Sequence, residues 1–179
     1  SDAKLLPCNS AGTFTLGQFI GQSNDVTLDT IFLCEGDSIF IDHNGDFDLS
    51  GDPTPATPPG VAYIFYDCLP TIAGDTWSNI LTNEPCLVLG PAGQPVFGFG
   101  QPNGDIWFFN NGTLQTLNGG QPVLYHFAPA TVDAFAVTNP YEQPAGGGPP
   151  GPCVNVNTSV AFQVVYLNAI QESGIVTNF

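Results

Sequence analysis

The chain has 179 residues, 42% of them hydrophobic, 12% aromatic and 9% charged, and sixteen acids face the single base Lys4 for a formal charge of −15. That length builds one domain with a substantial core, while the charge excludes nucleic acid and an anionic membrane surface, both of which are gripped through Lys and Arg. The acidic excess and the near-absence of trypsin-type cleavage points fit a secreted, extracellular protein.

Short β-branched and aromatic runs bounded by Gly, Pro, Asn and Asp predict strands along the chain. The first three are Thr13–Leu16, Asp29–Leu33 and Ser38–Ile41. Directly after them, Asp42, Asn44, Asp46, Asp48, Ser50 and Asp52 place an oxygen-bearing side chain at every second position. Calcium takes six to eight oxygen ligands, roughly the supply such a turning segment offers. Asp46, Asp48, Ser50 and Gly51 match the first half of a calcium loop, but Thr57 stands where the closing bidentate glutamate belongs. Calcium is therefore the expected cofactor, set against a plain turn at His43-Asn44-Gly45-Asp46 whose carboxylates face water.

Further strands are predicted at Val61–Tyr66, Ile106–Phe109, Val123–Phe127 and Ala134–Val137, followed by the long run Val160–Ile170. One short helix is predicted from Asp75, as N-cap, to Thr82. Asn111-Gly112 predicts a hairpin joining Ile106–Asn110 to a strand at Thr113–Leu117, because a type I′ turn needs positive φ at both central residues. Asn118-Gly119-Gly120 predicts a second turn. The expected fold is all-β, an immunoglobulin-like or jelly-roll β-sandwich with long Pro/Gly-rich loops at 52–60 and 144–152, forming a single domain over residues 1–179.

In the last strand, Val160, Phe162, Val164 and Tyr166 form the expected assembly segment. An apolar run exposed at an edge invites pairing with a second chain, and the 144–152 stretch would act as a hinge that lets 153–179 exchange between subunits. The alternative is that this strand closes its own sheet.

The five cysteines, Cys8, Cys34, Cys68, Cys86 and Cys153, show no C-x-x-C spacing, which points to disulfides in an oxidising compartment, with one thiol left over and the pairing open. No run approaches the roughly eighteen apolar residues of a membrane span, and the chain reads as mature and processed. No nucleophile elbow, H-E-x-x-H or phosphate-cradling loop occurs, so a non-enzymatic role is expected. Two histidines, His43 and His126, are the available bases near neutrality. Trp77, Trp107, Tyr63 and Tyr66 are candidates either for a sugar-stacking platform or for the core.

The ordered blocks Phe32-Leu33-Cys34-Glu35-Gly36-Asp37, His43-Asn44-Gly45, Asp48-Leu49-Ser50-Gly51-Asp52-Pro53, Thr57-Pro58-Pro59-Gly60 and Phe65-Tyr66-Asp67-Cys68 resemble a module of gliding-motility-associated surface proteins of the Bacteroidota. The resemblance spans about residues 8 to 90. It implies an extracellular β-sandwich subunit or module of an adhesive surface filament, self-associating or joined to neighbouring β-domains. The alternative function is a calcium-assisted carbohydrate-binding module with a glycan ligand.

Overall fold

Alternation of buried and exposed residues separates the strands into two kinds, those covered on one face and those covered on both. The computed structural model describes residues 9–21, 29–50, 58–73, 77–136 and 154–169. In chain order the strands are β1 (Phe14–Ile20), β2 (Thr30–Leu33), β3 (Ser38–His43), β4 (Gly60–Tyr66), β5 (Phe97–Gly98), β6 (Ile106–Phe109), β7 (Val123–Val132) and β8 (Phe162–Tyr166). Helices α1 (Trp77–Asn83) and α2 (Thr113–Leu117) and a 3-10 turn at Thr158–Val160 complete the described elements. The strands form a three-stranded sheet, β1-β3-β6, and a five-stranded sheet, β2-β8-β7-β4-β5. The protein is an all-β sandwich.

The small sheet is antiparallel and strictly two-faced. Ile39, Ile41, Ile106 and Phe108 point inward, while Trp107 and Phe109 stay exposed on the other side, as a period of two requires. The five-stranded sheet is covered on both faces at β4 and the second half of β7, which is why β4 reads as an uninterrupted apolar run with only Phe65 partly exposed, while β2 and β8 alternate buried with partly exposed residues. Between the sheets, Phe14, Ile39, Ile41 and Phe108 pack against Tyr63, Phe127, Phe162 and Val164. On the far face of the large sheet, Ile64, Tyr66, Ala128 and Val132 pack against Trp77 and Ile80 of α1 and against Val154 and Val156.

Pro129 lies inside β7, where a missing N–H would normally break a central ladder. It sits just past the point where β7 stops pairing with β8, at Phe127↔Phe162, and before the single bridge Ala130↔Val156. The proline thus occupies the gap between two ladders.

Three expectations change. The segment Thr113–Leu117 is helix α2 and not the return strand of a hairpin. Gly112 does take a positive φ of 76°, but the buried Gln115 side chain donates to Asn110 Oδ1 at 2.8 Å and to the Leu167 carbonyl at 2.9 Å. A strand at 113–117 would lose that anchor. The predicted strand at 134–137 is absent among the described residues: β7 ends at Val132, and Phe135 turns back to donate its N–H to the Pro58 carbonyl. Finally, β8 lies between β2, to which it is parallel, and β7, to which it is antiparallel. Phe162, Val164 and Tyr166 are buried in the chain's own core, with Val160 packed against it, so the segment expected to assemble with another subunit closes its own sheet and offers no free edge. The hinge at 144–152 and the helix cap Asp75 lie outside the described residues, while α1 itself begins at Trp77.

Candidate functional site

The acidic segment that follows β3 runs beside the residues that lead into β1. The β1–β3 pairing, Phe14↔His43 at its end, continues as a bridge between Ser10 and Asp48, with the Asn44 N–H donating to the Thr13 carbonyl at 2.9 Å. The two stretches are tied together by side chains. Asp46 accepts from the Thr13 N–H and the Thr13 hydroxyl, both at 2.7 Å, and Asn44 donates to that hydroxyl at 2.8 Å. Asp48 accepts from the Ser50 N–H at 2.8 Å, closing a local turn.

His43 is buried beneath this loop. Its Nδ1 accepts from the Gly45 N–H at 3.0 Å, which puts the ring proton on Nε2, where it is donated to the Ala11 carbonyl at 2.8 Å. Its role is that of a bridge between two chain segments. Gly12, at φ 68°, passes so close that an added Cβ would stand 2.7 Å from the His43 ring and 2.5 Å from the Asp46 carboxylate. A side chain at position 12 would therefore be strained by both conformation and space.

Asp42 lies on the outer face of the small sheet, opposite Thr15, and is exposed. Asp52 lies outside the described residues. Among the described residues, the only group of three or more His, Cys, Asp or Glu whose ligand atoms lie within 4.8 Å of one another is Asp67, Cys68 and Cys86, and its two cysteines form a disulfide. The structure thus brings Asn44 and Asp46 together at Thr13, places Asp48 with Ser50 in a separate turn, and sets Asp42 apart.

The same use of carboxylates recurs elsewhere. Glu84, buried at the end of α1, accepts through Oε2 from the Thr71 and Ile72 N–H groups, both at 2.8 Å, and from the Thr71 hydroxyl at 3.1 Å. Its Oε1 accepts from the Cys86 N–H at 3.2 Å. Asp37 accepts from the Cys34 N–H, and Asp105 from the His43 N–H, each at 2.9 Å. In a chain whose one cation is Lys4, main-chain amides take the place that Lys and Arg usually fill, since a carboxylate gains about as much from charge-assisted N–H donors.

Donation from Thr13, by its N–H first and its hydroxyl second, holds the Asp46 carboxyl below the ordinary carboxylate range. As pH falls, the unfolded chain takes up this proton first. The stabilisation is therefore complete above about pH 4, the unfolded value, and is lost as pH drops through the lower folded value. We expect Asp46→Ala to cost about 1 kcal/mol, held down by solvent exposure, and to flatten the acid limb of a pH–urea denaturation series. An acid limb equal to that of the parent would refute this role.

Of the cysteines, Cys68 and Cys86 are joined across 18 residues of sequence, pinning the loop that carries α1 beside the end of β4. Cys34 is a free thiol, pushed up in pKa by burial and then by the neighbouring Asp37 carboxylate. Cys8 and Cys153 lie outside the described residues. Closing a loop of this size stabilises by about 3 kcal/mol through the unfolded chain. Reduction at neutral pH is expected to lower the denaturation midpoint accordingly, and an unchanged midpoint would contradict it.

The candidate stacking residues divide sharply. Tyr63, Tyr66 and Trp77 are core residues, and the hydroxyls of both tyrosines are buried without a hydrogen-bond partner among the described residues. Burial, with the Glu84 charge added, pushes the Tyr66 phenol up. Trp107 is 46% exposed. His126 is packed in β7, where burial lowers its pKa against the opposing pull of Asp67.

Comparison with protein-family models, with curated proteins and with solved structures gave no match.

Sequence reasoning missed Glu84 and the Asn110–Gln115 pair. Asn110 donates to the Leu33 and Leu167 carbonyls at 2.8 and 2.9 Å, tying together the ends of β2 and β8. The partners lie 77 and 57 positions away, so no local pattern announces them. The outward phase of Trp107 and Phe109 was not legible either: Ile-Trp-Phe-Phe is apolar at every position, and only the sheet shows that Ile106 and Phe108 point inward while Trp107 and Phe109 stay exposed.

Proposed function

We propose that this chain is a non-catalytic, extracellular structural module, a β-sandwich of the immunoglobulin-like or jelly-roll kind serving as a subunit or domain of an adhesive cell-surface filament. The observation that supports this reading is the employment of its polar groups. Asp37, Asp46, Asp48, Glu84 and Asp105 each accept from main-chain N–H groups, and a disulfide joins Cys68 to Cys86. Chemistry that would otherwise serve an active site is committed here to stiffening a scaffold, which is what a load-carrying surface protein needs. The resemblance to gliding-motility-associated surface proteins points the same way, and the disulfide is at home in an oxidising compartment.

Calcium belongs to this proposal as a ligand of the 42–52 loop, where Asp42, Asp46, Asp48 and Ser50 are exposed. An ion bound by the native state alone raises stability by mass action. The experiment is electron microscopy of the purified full chain with calcium and with a chelator, alongside thermal denaturation in both. Fibres, and a Tm that rises with calcium, are the expected results. Dispersed particles at every concentration would overturn the filament reading, and a Tm indifferent to the chelator would assign the loop to its hydrogen bonds alone.

A further inference from the structure

The outer face of the small sheet turns its most apolar residues to solvent. In register across the strands, Phe40 stands beside Trp107, and Ser38 stands between Ile20 and Phe109. The rings of Phe40 and Trp107 are 5.2 Å apart at a tilt of 40°. Gly17 of β1 makes room for this arrangement: a Cβ there would meet the Phe40 ring at 2.7 Å, so that ring extends over the neighbouring strand. The result is a shelf of two rings across the sheet, with Ile20 and Phe109 one level along, and exposures of 46% for Trp107, 50% for Ile20 and 55% for Phe109.

These side chains lie opposite the core, and a contiguous exposed apolar patch of a few hundred Å² is often functional. Its occupant follows from size and charge. Aromatic side chains bury about 150–250 Å² each when fully covered. Trp107, Ile20 and Phe109, each about half exposed, together with the part-buried Phe40 therefore supply roughly 300–400 Å² of apolar surface, no more than about half of the ~800 Å² per partner of a stable protein interface. The charge of −15 also turns away acidic polymers.

A neutral sugar meets both limits, because the apolar face of a pyranose ring matches an aromatic ring in area and carries no charge. Its hydroxyls would find Ser38, Thr15 and the Asp42 carboxylate on the same side of the sheet. We infer that Phe40, Trp107 and Phe109 form a binding platform for a neutral polysaccharide. This goes beyond the filament reading and does not depend on it.

The test uses the full chain and the neutral hexasaccharides of cellulose, xylan, mannan, starch and chitin as probes. Trp77 is buried and Trp107 exposed, so bound sugar is expected to shift the intrinsic fluorescence to the blue through Trp107, whereas Trp77 stays silent. By titration calorimetry, which does not need the Trp107 reporter, Trp107→Ala and Phe109→Ala are expected to weaken binding by about tenfold each with a denaturation midpoint that changes little, since both side chains lie on the face opposite the core. No binding of any probe at millimolar concentration, or affinity retained in both variants, overturns the inference. A concentration-dependent dimer in sedimentation that Trp107→Ala abolishes also overturns it, assigning the face to a second copy.

Discussion

Phe127→Ala is expected to lower the unfolding free energy by about 3–5 kcal/mol, the range for a phenylalanine removed from a packed core. Phe127 is fully buried in β7, and its ring lies 4.6 Å from Phe65, 4.6 Å from Phe108 and 5.4 Å from Phe162, the last in a stacked arrangement. Phe108 belongs to the small sheet and Phe162 to the large one. The ring therefore reaches across the sandwich, and its removal leaves a cavity that neither sheet can close without shifting. Against a total stability of about 5–15 kcal/mol, that loss brings the fold near its threshold. Urea denaturation of Phe127→Ala beside Phe109→Ala measures the difference. The exposed Phe109 position is expected to change stability by no more than about 0.5 kcal/mol. Similar values for the two variants would mean that the sheets do not share the core described here.

Glu84→Ala is expected to cost about 3 kcal/mol or more, an effect that nothing about an acid at the end of a short helix suggests. The carboxylate is the acceptor for the N–H groups of Thr71, Ile72 and Cys86. The Cys86 bond is buried and the other two are part-buried; a buried donor left unsatisfied costs about 1–3 kcal/mol, a part-buried one less because water reaches it. Glu84→Gln is the sharper test: the side chain keeps its volume and its amide oxygen can still accept from Thr71 and Ile72 as Oε2 does, but its NH₂ then faces the Cys86 N–H and the charge is lost, so it is expected to recover only part of the loss. Full rescue by glutamine would show that shape rather than charge-assisted acceptance holds the segment. The two variants are best compared by thermal and urea denaturation with the Cys68–Cys86 bond intact, because that bond constrains the same loop and would couple with Glu84.

How much of this was legible beforehand varies by element. The strands β3, β6 and β8 follow directly from runs of β-branched and aromatic residues, and the positions of β4 and the first half of β7 were equally plain. The uninterrupted apolar run of β4 correctly marked a strand, though its cause, a second layer made of α1 and Val154–Val156, lies outside any local window. The helix α2 was misread because Asn111-Gly112 is a sound turn signal whose outcome depended on where Gln115 could be buried. The disulfide chemistry was expected, but the pairing of Cys68 with Cys86 needed the loop geometry.

The amino-acid sequence alone determined the class of the protein: alternation and turn residues dictate strands, and apolar content with scarce cations dictates a buried core under an acidic, amide-rich surface. It also set the even spacing of oxygens from Asp42 to Asp52. The tertiary structure decided where those oxygens point. Thr13 lies 33 positions before Asp46, yet its N–H and hydroxyl claim that carboxylate, because the β1–β3 ladder carries them alongside each other. It likewise decided that β8 pairs within its own chain, since burying Phe162, Val164 and Tyr166 between β2 and β7 avoids the entropy of association. Local pattern fixes which face of a strand is apolar. Only the assembled sheets determine what covers that face, because covering it requires partners far apart along the chain.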